Sequence, residues 1–133
     1  MLAGFAIFVS AAHGQLFESD SKRFEGSKMD IVLREIERRP RSSVVEIKIH
    51  SVGSSVGASF FLLCSIRHLA RLRGAYRYVV KLEETPKPGQ MLVGFVRDPE
   101  EPLANVGKKF EKLNSREAVI ELEQFAEICD SMK

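Results

Sequence analysis

The chain has no tryptophan, 2 cysteines, 2 tyrosines and 3 histidines in 133 residues. Each shortage narrows what the protein does. A structural zinc site needs four ligands. Cys64 and His68 lie four apart, on one side of a helix, and no second Cys/His pair completes the set, so no metal is expected. Charge of one sign is also missing: 20 basic against 18 acidic residues leave a net +2. That balance argues against nucleic acid or an anionic membrane as partner. No stretch after residue 15 is apolar enough to span a bilayer. The glycine-rich stretch "SVGSSVG" lacks the lysine of a phosphate-binding P-loop, and its glycines do not make G-x-G-x-x-G, so no nucleotide cofactor is indicated. There is no internal repeat and no low-complexity tract.

What is present starts with "MLAGFAIFVSAAHG", fourteen residues without a charged side chain. Leu2 to Ala12 has the length of a signal-peptide core, and Ala12-His13-Gly14 places small side chains for a cut before Gln15. No basic segment precedes the apolar run. Phe5 stands where a lipoprotein would carry cysteine. The expectation is an exported chain, periplasmic or secreted, with a cytoplasmic location as the alternative. Residues 15–27 then form a polar arm and 28–133 a single domain.

Within that domain, Met29, Val32, Leu33 and Ile36 fall at helical spacing and predict a helix over 28–38, ended by Pro40. "SVVEIKIH" alternates apolar and polar residues and predicts a strand with one wet face. A helix follows over 55–73, stopped by Gly74. It sets Ala58, Leu62, Ile66 and Leu69 on one face, with Arg67 and Arg71 opposite. "AYRYVVKLEE" predicts a strand whose core side is Tyr76, Tyr78, Val80 and Leu82. "MLVGFVRD" predicts its antiparallel hairpin partner. One helical turn is expected near 102–106 and a final helix over 115–131. The order is α-β-α-β-β-α. It predicts an α+β fold, a small three-stranded mixed sheet with a parallel β-α-β crossover and helices mainly on one face.

Gly53-Ser54-Ser55-Val56-Gly57 fits the G-x-S-x-G of a serine nucleophile. Ser55 is therefore the candidate catalytic residue. The flanking strand is not the continuous apolar run such an elbow projects from. His68, the histidine after it, sits thirteen helical residues away, roughly 20 Å, too far to take its proton. The loop reads instead as a turn from strand to helix, with Gly53 allowing the bend and Ser54 or Ser55 capping the helix. Arg67, Arg71, Arg73 and Arg77 with His68 make a basic cluster, favoured in part by the helix C-terminal dipole. Phe60, Leu63 and Cys64 extend the apolar surface of the central helix toward that arginine side. Phe60, Leu63, Arg67 and Arg71 are the candidate binding residues. Cys64 and Cys129 are the candidate disulfide, since packing the terminal helix on the central one buries both.

"SIRHLARLRGAYRYVVKLEE", a helix ending in Arg-Gly before an aromatic-rich strand, resembles small uncharacterised bacterial envelope proteins, many of them lipoproteins, with a compact β-α-β core. The resemblance covers about residues 44–97. It implies export and a small α+β domain, and it brings no catalytic residues. The expected function is thus a non-enzymatic exported domain that binds another envelope protein or itself, without cofactor and without a transmembrane anchor in the mature chain. The alternatives are a small serine hydrolase using Ser55, and a basic nucleic-acid-binding module using Arg67, Arg71 and Arg77.

Overall fold

The computed structural model describes residues 16–23, 28–83 and 87–131. The leader expected over 1–14 lies outside them, as do Gln15 and residues 24–27 of the arm. The chain is α+β, but the sheet is not a three-stranded mixed one. Six strands form one curled antiparallel sheet, a half-barrel around a long helix. The strands are β1 (Glu18–Asp20), β2 (Asp30–Arg39), β3 (Ser42–Ser51), β4 (Tyr78–Glu83), β5 (Gln90–Val96) and β6 (Ile120–Glu121), in the spatial order β1-β2-β3-β5-β4-β6. The long helix α1 spans Ser55–Gly74.

The segment expected as a first helix is the strand β2. Ile31, Leu33 and Glu35 alternate as its buried side. The alternation hides because its third inward position is a carboxylate, while Val32 and Ile36 supply the false helical spacing. Pro40 and Arg41 make a two-residue turn between Arg39 and Ser42, so the proline ends a strand. The register shifts between Glu35 and Glu37, a bulge that leaves Ile36 outside the ladder. β3 matches the expected strand, but the expected buried and wet faces do not run its length: Ser42–Val45 are buried on both sides and Lys48–Ser51 are exposed on both. β3 and β4 do run in the same direction, yet they are not neighbours. β5 lies between them, antiparallel to each. Its run from Met91 to Val96 is buried throughout, as a central strand covered on both faces must be.

The two faces carry separate cores. On the concave face, Ile66 and Leu69 of α1 pack on Leu33, Val45, Val79, Val93 and Phe95. On the convex face, 3-10 turns at Leu103–Asn105 and Lys108–Phe110 bring Leu103, Val106 and Phe110 onto Val44, Val80, Leu92 and Val96. The helical turn expected near 102–106 is the first of these. Tyr78 and Leu82 join the convex core, whereas Tyr76, which precedes the strand, stacks on Phe95 in the concave one. α1 ends one residue later than expected: the left-handed cap is Ala75, at φ 57°, whose N–H returns to Ala70 and Arg71. The final helix is broken. A single turn α2 (Ser115–Ala118) gives way to β6, a 3-10 turn at Leu122–Phe125 and α3 (Ala126–Ser131). The Leu122 amide donates to the Arg77 carbonyl at 2.8 Å, holding this segment to the start of β4.

Candidate functional site

The half-barrel is open at one end because its strands are of unequal reach. β3 continues to Ser51, but its ladder with β5 stops at Glu46, opposite Gln90. β4 continues to Glu83, but β6 covers only Tyr78 and Val79. Between these overhangs and the first half of α1 lies a cleft of about 860 Å³. Ile47, Ile49 and Met91 line its sheet side, Leu62 and Leu63 its helix side, and Ile120 and Phe125 its C-terminal wall. Polar groups stand among them: Ser59, Gln90, Gln124 and the ion pair of Lys81 with Glu83 at 3.1 Å. Ile49 remains 52% exposed, an apolar side chain facing open space in the cleft.

The C-terminal wall is fastened to α1 by three kinds of contact. Cys64 and Cys129 are joined by a disulfide, with Cα atoms 5.3 Å apart. Leu122 is fully buried in the concave core. Arg67, expected on the surface, is only 7% exposed; it donates from Nε and Nη2 to the Glu123 carboxylate at 3.2 Å and sits 3.7 Å from Asp130. These guanidinium donors, with Arg71 at 3.3 Å, hold the Glu123 carboxyl below the usual carboxylate range. Arg67 turns inward because the broken C-terminal segment lays its acidic residues over that side of α1.

The other sequence candidates are spread apart. Ser55 is exposed on the first turn of α1, and the Oγ of Ser54, the cap, accepts from the Gly57 amide at 3.0 Å. His68 packs edge-on against Phe17, three turns along the helix. Phe60 is half-buried; Leu63 belongs to the cleft. Arg71 is exposed. Arg73 reaches into the β2–β3 turn, donating to the Ser42 carbonyl at 2.9 Å and lying over the Phe95 ring at 4.9 Å. Arg67 and Arg73 are thus turned into the fold, which divides the basic cluster. No group of three or more metal-ligating side chains occurs among the described residues, and no described helix is long and apolar enough to cross a membrane.

No family model, no curated protein and no solved structure matches the chain. Function therefore rests on the geometry. Sequence reasoning reached the cleft at Leu63 only. Ile47 and Ile49 read as the core side of a strand, and nothing in a linear pattern shows that β5 stops short of them. Ile120 and Phe125 read as faces of one helix, which the break at β6 reorients.

Proposed function

We propose that the protein acts by binding and that the cleft holds a small, largely apolar molecule. The observation that supports this is the cleft itself: bounded by helix, sheet and C-terminal wall and open at one end, apolar in lining, with a few polar groups. Its volume of about 860 Å³ falls in the range of small-molecule sites, roughly 300–1,000 Å³. The disulfide favours an oxidising compartment, in keeping with an exported binding domain of the bacterial envelope. The neutral fluorophore N-phenyl-1-naphthylamine tests the reading. Saturable enhancement is expected, with affinity lowered at least about tenfold in Leu63→Glu, since a charge placed in an apolar site costs about 1.4 kcal/mol or more. No saturable binding to the native protein would reject the cleft as a site. Labelling of Ser55 by a fluorophosphonate would reinstate the hydrolase.

A further inference from the structure

We propose a second binding site on the convex face, for a small anion: a phosphate or carboxylate head on a compact apolar body. This site is independent of the cleft. It is a cavity of about 410 Å³ between the β2–β3 turn and the 3-10 turns that cover the outer core. Its floor is apolar and buried, made by Leu92, Val106 and Phe110. Its rim is cationic. Arg39 and Arg41 stand on one side and Lys108 and Lys109 on the other, and no carboxylate is among the described residues that line it.

The four cations are not equivalent. Arg41 is held within the fold, donating to the Phe95 carbonyl at 2.8 Å and to Glu101 at 2.6 Å. Arg39 is paired with Glu37. Lys108 and Lys109 enter no ion pair among the described residues. The guanidinium charges of Arg39 and Arg41 are met by Glu37 and Glu101, so the uncompensated charge at the rim is that of Lys108 and Lys109, and apolar walls screen it less than open water does. An anion is the ligand that relieves this. The floor adds the second requirement, because an apolar body gains by covering Val106 and Phe110 where a bare ion does not.

The walls are set before any ligand arrives. A Cβ on Gly94 of β5 would meet Val106 Cγ1 at 2.5 Å, and one on Gly107 would meet the Phe110 ring at 3.2 Å. Gly94 therefore lets the lysine-bearing turn lie directly on the sheet, and Gly107 lets the Phe110 ring fold back against its own turn. The Phe110 amide closes the turn on the Gly107 carbonyl at 3.0 Å. A seated turn loses little freedom on binding, which favours affinity.

Amide NMR titrations of the native chain with phenyl phosphate and with inorganic phosphate test the site. Saturable shifts centred on residues 105–110 are expected, with phenyl phosphate about tenfold tighter than phosphate because its ring is buried. The double variant Lys108→Glu/Lys109→Glu, both exposed positions, is expected to weaken phenyl phosphate about tenfold or more, and added salt to weaken the native chain. Unchanged affinity in the double variant overturns the proposal. So do shifts confined to α1 and β3, which would put the probe in the cleft. Equal affinities for the two anions overturn the apolar body.

Discussion

Glu35 shows how one residue ties several elements together. Its carboxylate is 1% exposed. It accepts from the Phe17 amide at 3.1 Å, from Arg38 Nη2 at 2.7 Å and Nε at 3.0 Å, and from the Ser43 hydroxyl. Burial alone pushes its carboxyl up, but these donors together outweigh burial and hold it below the usual range. The folded-state value is thus lower than the unfolded one. Ionised Glu35 stabilises the fold at pH above about 4.3, the ordinary glutamate value, and that contribution is lost as pH falls through the lowered value. Glu35→Gln is expected to cost about 3 kcal/mol at neutral pH. Urea unfolding from pH 3 to 6 should show a shallower acid decline for the variant; parallel curves would contradict this role. Arg67 is the second such residue. Arg67→Met removes the buried guanidinium that Glu123 and Asp130 share, leaving Glu123 the exposed Arg71, and is expected to cost about 1–3 kcal/mol, with faster hydrogen exchange over residues 122–131. A loss under about 0.5 kcal/mol, the usual range of a surface change, would return Arg67 to the surface.

Among elements, the convex layer depends on how closely its turns approach β5. Gly94 sits at the centre of the strand opposite Ser42 and Val80. Its backbone is ordinary, so the glycine is required for space and not for an unusual dihedral. Gly94→Ala drives a methyl into Val106 and Phe110, both buried. Overpacking of this kind costs about 1–3 kcal/mol. The denaturation midpoint is expected to fall accordingly, and amide shifts to concentrate in residues 103–110. A neutral effect would mean the layer is loosely seated. The same element-level lesson applies to β2. An isolated Asp30–Arg39 has helical spacing, but β1 and β3 offer it ladders on both sides, and a strand with an inward carboxylate forms because Arg38 and Ser43 satisfy that carboxylate.

At the scale of the molecule, the disulfide closes the chain over the helix-sheet unit. Its two cysteines are 65 residues apart. Constraining an unfolded loop of that length is worth about 4 kcal/mol on the chain-entropy model. Unfolding in guanidinium with a dithiol reductant should therefore shift to lower denaturant by the equivalent of about that amount. Coincident curves with and without reductant would show that the bridge adds nothing. The bridge also bears on the cleft, because Gln124 and Phe125 of its C-terminal wall lie between the Leu122 anchor and Cys129.

Local pattern alone determined several features. The alternation in "SVVEIKIH", the long helical stretch after Ser54, the β4–β5 hairpin and the place of each cysteine within its own apolar stretch are all written in short-range spacing. Their physics is local, since a strand period, a helix stripe and a cap each depend on residues within a few positions. Only tertiary structure decided the rest. β5 lies between β3 and β4 because its hydrogen bonds go to both, and no window of sequence contains that choice. β2 is a strand because β1 and β3 pair with it, and because the Phe17 amide and the Ser43 hydroxyl join Arg38 in satisfying Glu35. Arg67 is buried because acidic residues 56 and 63 positions later fold over it. Both candidate sites belong to this second class. A cleft is the space left where strands end at different points, and a cationic cavity is the space between two turns. Neither is a property of any one segment.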